Sequence, residues 1–76
     1  MKDMVLNRNA IGQRLITLRG DRTQDEVAKA LGISKSALCM YESGERIPRD
    51  AIKVRIARFY NRSVPFIFFN PKDHET

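Results

Sequence analysis

The residues best placed to do chemistry lie between Ser34 and Gly44. On a helix wound at about 100° per residue, Lys35, Ser36, Cys39, Met40 and Ser43 share one arc, while Leu38 and Tyr41 fall about 60° apart on the other. Lys35 is the only charge on that arc. A solvated face is more often filled with Glu, Lys and Arg. A helix laid in the major groove of DNA needs side chains that can approach base edges, and this arc has them. Lys35 can donate to a guanine edge or to a phosphate, and Ser36 begins the helix beside it. Cys39 and Met40 are poor hydrogen-bond donors and suit apolar contact with thymine methyl groups. A redox role for Cys39 would need a lowered thiol pKa, for which Lys35, one turn earlier, could supply charge.

Bond-making chemistry has little to work with. The single histidine, His74, sits in a polar tail, and the single cysteine has no base beside it in sequence. No glycine-rich loop precedes a helix with a phosphate-binding lysine, and no carboxylate pair is forced together by spacing. No catalytic residue, metal site or cofactor is therefore expected, and an internal disulfide framework is excluded.

An arc can read DNA only if other elements hold it at an angle. Thr23-Gln24-Asp25-Glu26 has the form of a capping box and opens a helix running to about Leu31. Gly32-Ile33 makes the turn, Ser34 caps the next helix, and Gly44 ends it. So short a turn forces a steep crossing of about 90–120°. Val27 and Leu31 from the first of these helices, Ile33 from the turn, and Leu38 and Tyr41 from the second face one core. Ala28 stands where a larger side chain would push the two helices apart. Before this pair, Asn9 is a fitting N-cap for a helix carrying Ile11, Leu15 and Leu18 and ending at Gly20. After it, a loop at 45–48 leads to a helix from about Arg49 to Tyr60, with Ile52, Ile56 and Phe59 on one side and Asn61 as its stop. Ser63-Val64-Pro65 opens a last short turn ending near Phe69. VPFIFF is the only strand-like run and has no partner strand, so the chain reads as all-α, with about five short helices. The domain is expected over 9–69 with the helix-turn-helix at 24–43, between an arm at 1–8 and a loose tail at 70–76.

The chain has 76 residues, one small domain's worth, 42% of them apolar and 30% charged, which argues against disorder. Fourteen basic residues against nine acidic give a formal charge of +5, favouring partners that carry phosphate. No apolar run reaches the ~18 residues of a membrane span and no signal-peptide pattern opens the chain, so a cytoplasmic protein without a membrane partner is expected.

The segment resembles the helix-turn-helix of the Cro and lambda-type repressor family, also called the XRE family. Gln24, Ala28, Gly32, Ile33, Ser34, Leu38, Glu42 and Gly44 stand where that family's pattern has them. The likeness extends from about Ile11 to Phe69 through Leu18-Arg19, Arg46-Ile47-Pro48, Ile56-Ala57 and the closing 64–69. The link from Arg19 to Gln24 is about two residues shorter than in the commonest members. The resemblance implies a compact, lambda-repressor-like five-helix domain and a regulator of transcription, a repressor, of bacterial or phage type and associated with the nucleoid through DNA. It implies that Gln24 holds a DNA phosphate, that Lys35, Ser36, Cys39, Met40 and Ser43 face the bases, and that Arg19 and Glu42 form a structural ion pair. Arg46 and Arg49, flanking Pro48, can clamp backbone phosphates, whereas Arg55, Arg58 and Arg62 read as a solvated basic stripe. It further implies a homodimer on a palindromic operator in double-stranded DNA, joined through the end that carries Val64, Pro65, Phe66 and Phe69. The rival is a protein-interaction module, such as an antitoxin, using the same apolar end for a protein partner. RNA is a weaker candidate, since no aromatic stacking platform stands beside the basic residues in sequence.

Overall fold

The computed structural model describes residues 7–69. Among them are five helices and no strand: α1 (Arg8–Arg19), α2 (Gln24–Leu31), α3 (Lys35–Ser43), α4 (Asp50–Tyr60) and α5 (Val64–Phe68). The lambda-repressor-like, all-helical architecture expected from the sequence is the one observed. The arm before Asn7 and the tail from 70 onward, His74 included, lie outside the described residues.

Local chemistry accounts for most helix ends. The Thr23 side chain accepts from the Glu26 amide while Glu26 reaches back to the Thr23 amide, completing the capping box that starts α2. Ser34 and Ser63 accept from the Ala37 and Phe66 amides in the same way. Asn61 ends α4 at φ 57°, the left-handed region an asparagine tolerates. Two expected starts shift. The cap of α1 is Asn7 and not Asn9: Asn7 Oδ1 accepts from the Ala10 amide, so Arg8 and Asn9 lie inside the helix. Arg49 is the N-cap of α4 and bonds none of its amides through its side chain.

The core draws on all five helices: Ile11 and Leu15 from α1, Val27 and Leu31 from α2, Leu38 and Tyr41 from α3, Ile56 and Tyr60 from α4, Ile67 and Phe68 from α5. α1 packs chiefly on α3, and Gly12 permits it. A Cβ at Gly12 would press into the Glu42 carbonyl oxygen and lie 2.9 Å from its carbon. On α4 the expected stripe needs correction. Phe59 turns outward and is 36% exposed, whereas Lys53, Ala57 and Tyr60 join Ile56 inside. Lys53 tolerates burial by directing its ammonium to Asp50 at 3.5 Å and over the rings of Phe68 and Phe69.

Three arginines tie helices to distant parts of the fold through carbonyl oxygens, Arg8 to the loop after α3 and the other two to helices. Arg8 donates to Glu45 at 3.3 Å, Arg14 to Ile67 at 2.7 Å, and Arg55 to Leu31 at 2.9 Å. Arg55 therefore satisfies a terminal carbonyl of α2 while staying exposed with Arg58 and Arg62, as expected for the stripe on α4.

Candidate nucleic-acid interface

The interface is built on the junction of α2 and α3. Gly32 ends α2 in the left-handed region, at φ 73° and ψ 32°, and its amide closes back on Ala28 and Lys29. A side chain there would be strained, and the turn depends on that conformation. Ile33 then packs on the core while Ser34 starts α3. Val27, Ala28, Leu31 and Leu38 are all 3% exposed or less, so the crossing of the two helices is fixed by close packing.

Glu42 is the polar pin of the arrangement. It is 4% exposed, and both of its oxygens are engaged. Arg19 grips it as a fork, Nε to Oε2 at 2.8 Å and Nη2 to Oε1 at 3.1 Å, and Gln24 Nε2 adds a bond to Oε1 at 2.8 Å. Arg19 also donates to the Arg22 carbonyl at 2.9 Å, which fastens the short link between α1 and α2. The hydrogen bond to Glu42 and its negative charge raise the Arg19 pKa further, leaving the guanidinium cationic at every ordinary pH. One carboxylate thus joins the end of α1, the start of α2 and the end of α3. The pairing of Arg19 with Glu42 is the one the family resemblance implies; the part of Gln24 in it is unexpected.

Outward of this pin lies the arc. Lys35, Ser36, Cys39 and Ser43 are exposed, and Met40 is half-buried. Lys35, Ser36, Cys39 and the Met40 side chain make no hydrogen bond or ion pair among the described residues. Ser43 differs: its hydroxyl lies 3.2 Å from the Met40 carbonyl and 3.0 Å from Glu45 Oε1, so it is turned back along the chain. Arg46 and Arg49, in the loop beyond α3, are exposed, and their side chains likewise make no hydrogen bond or ion pair among the described residues. Gln24, at the start of α2, has one Nε2 hydrogen on Glu42, and the second remains available.

Charge is therefore divided by task. Arg8, Arg14, Arg19 and Arg55 hold the fold together, while the side chains of Lys35, Arg46 and Arg49 have no partner among the described residues. Formal charge alone does not show that division. At the opposite end, Phe66 and Phe69 are each 43% exposed and Pro65 is exposed, with Val64 half-buried between them and the core. Ile67 and Phe68, between the two exposed phenylalanines, are buried.

A protein-family model described as helix-turn-helix matches residues 14–67, spanning the end of α1, the α2–α3 junction, the 44–49 loop, α4 and most of α5. No curated protein and no solved structure gives a match.

Proposed function

From the premise that this chain belongs to the helix-turn-helix family of Cro and lambda-type repressors, we propose that it is a sequence-specific repressor that reads double-stranded DNA with α3. The family is one of DNA-binding regulators of transcription and not of enzymes. The observation that carries the finer reading is the arc: Lys35, Ser36, Cys39 and Met40 are presented by a rigidly packed helix and have no internal partners. In this reading they enter the major groove. Lys35 bonds a base edge or phosphate, Ser36 bonds a neighbouring polar group, and Cys39 and Met40 lie on thymine methyl groups. Ser43, with its hydroxyl turned back, approaches as an acceptor at the groove's edge. Arg46 and Arg49 neutralise phosphates on one side of the groove. On the other, Gln24 offers its remaining side-chain hydrogen and the first amides of α2 to a phosphate. Arg19 and Glu42 contribute by holding the angle.

The surface formed by half-buried Val64 and exposed Pro65, Phe66 and Phe69 fits a two-fold homodimer, in which two copies of α3 lie about 34 Å apart on a palindromic operator. A protein partner at the same surface is the second reading, favoured by the 43% exposure of both phenylalanines. No helix among the described residues is long and apolar enough to cross a membrane. A cytoplasmic, DNA-associated location follows from the proposed role.

Salt titration of duplex binding tests the function class. A dimer neutralising about six phosphates gives a slope of log K against log salt near −5. A flat titration removes the DNA-binding assignment. Sedimentation of Phe66→Asp, set beside the unaltered chain, tests the dimer: loss of a dimeric species supports the surface, and an unchanged mass distribution rejects it.

A further inference from the structure

A cleft of about 420 Å³ opens between the end of α3 and the start of α4, beneath the 46–49 loop. Arg46, Arg49 and Arg55 stand around it, and no carboxylate lines it. Its far wall is the first turn of α4, at Ala51 and Ile52. The first amides of a helix have no intrahelical acceptor, and Arg49 provides no side-chain cap for them, so they offer donors and a positive helix end to the cleft. Asp50, in the same turn, points away: its carboxylate is fully exposed and paired with Lys53.

A second, independent observation comes from Tyr41. This residue is 7% exposed, lines the cleft, and has a hydroxyl with no hydrogen-bond partner among the described residues. Unlike the hydroxyl of Tyr60, it is not sealed from solvent. A phenol whose ring is packed, whose hydroxyl has no partner among the described residues and which lines a cleft with three guanidinium groups can donate to a bound acceptor. The cleft is also larger than a bare phosphate requires and falls within the ~300–1,000 Å³ of small-molecule sites. Ile47 and Ile52 give it an apolar side that a phosphate ion alone would not use.

We propose that this cleft binds a small organic phosphate, with the phosphoryl group on Arg46, Arg49, the Tyr41 hydroxyl and the α4 amides, and the organic part against Ile47 and Ile52. Arg55, one of its hydrogens held by the Leu31 carbonyl, supplies fixed positive charge behind the phosphoryl group. Because Arg46 and Arg49 are also the groups assigned to the DNA backbone, the bound ligand opposes DNA binding. This consequence rests on the function proposed above; binding to the cleft does not.

The test uses phenyl phosphate and inorganic phosphate, with chloride holding ionic strength constant, and follows the amide resonances of Ala51 and Ile52. The expected result is a saturable shift of both, with phenyl phosphate several-fold tighter than inorganic phosphate. Tyr41→Phe, which removes an unpaired hydroxyl and leaves the packed ring, should keep the melting temperature and weaken phenyl phosphate about tenfold, as loss of a hydrogen bond to a charged group does. Shifts that fail to saturate, or equal affinity in Tyr41→Phe, overturn the site. Saturation by a DNA duplex with no response to either free phosphate assigns the cleft to the DNA backbone and also overturns it. Saturating phenyl phosphate should then raise the duplex Kd at least several-fold at matched ionic strength. An unchanged Kd contradicts the opposition, whereas a free-phosphate response in a chain that binds no duplex sinks the DNA reading and leaves the cleft standing.

Discussion

The α2–α3 junction and the α4–α5 end are built to opposite standards of closure. In the junction the buried carboxylate is fully paired: Glu42 has three donors, both helices carry side-chain N-caps, and Gly32 takes the one backbone conformation the turn needs. At the α4–α5 end, Tyr60 is buried with its hydroxyl unpartnered, Lys53 is buried against aromatic rings, and Phe66 and Phe69 remain 43% exposed. The first region holds an angle, and its outer face carries side chains without partners among the described residues. The second is an interior unfinished within one chain. That contrast is why bases are assigned to the first and a partner chain to the second.

The largest expected effect comes from breaking the junction at its pin. Glu42→Ala leaves Arg19 and Gln24 without their acceptor and should cost about 3–5 kcal/mol, enough to unfold much of a domain this small. The melting temperature checks it, and a fully stable variant that has lost only DNA affinity would move Glu42 from the fold to the interface. Next is Gly12→Ala, where the added methyl meets the Glu42 backbone. Overpacking of this kind costs about 1–3 kcal/mol, readable as a lower urea midpoint at an unchanged denaturant slope. Equal stability would mean that α1 is free to slide on α3.

Smaller effects separate the junction's outer face from its core. Met40→Ala should lower duplex affinity by about 1–2 kcal/mol with discrimination lost at A·T positions, the worth of methyl burial. Thermal melting of the free protein, compared with that of Leu38→Ala, shows whether Met40 serves the core instead. The smallest effect belongs to the other region. Tyr60→Phe removes a hydroxyl that has no partner, so stability should hold or rise by up to about 1 kcal/mol.

The same variant carries a pH signature. Burial first, and then the Glu42 charge, raise the Tyr60 pKa above the ordinary 10.0, against opposing effects of Arg22 and Arg19. Folding therefore favours the neutral phenol. Its contribution is complete below pH 10 and is lost as pH rises from there through the folded-state value, because the unfolded chain ionises first. Unfolding midpoints measured across the alkaline range should fall less steeply for Tyr60→Phe than for the unaltered chain.

Legibility in the sequence follows the same division. Caps and turns act within four residues, so Thr23, Ser34, Gly32, Gly44 and Asn61 could be placed directly, and with them the ends of α2 and α3. The outward arc of α3 follows from helical spacing once Leu38 and Tyr41 are taken as buried. What could not be read depends on distant partners or on near-equivalent neighbours. Asn7 and Asn9 are both good caps two residues apart, and only the bond to Ala10 decides between them. Phe59 and Tyr60 are adjacent aromatics, and packing turns one out and the other in. Arg55 is the surface charge its type suggests, but its bond to the Leu31 carbonyl depends on a distant neighbour. Gly12 falls mid-helix, where a glycine signals a close approach without naming the neighbour. Lys53 is read as polar by type, yet its stem and ammonium find apolar and aromatic cover.

The measurement that bears most directly on the account is selection of bound duplexes from a random pool with the full chain. If α3 reads bases from a two-fold dimer, the selected sequences converge on a palindrome with half-sites about one helical turn apart, with A·T pairs where Cys39 and Met40 lie. No enrichment over the starting pool would contradict the reading of α3 and pass the function to the apolar end of the molecule.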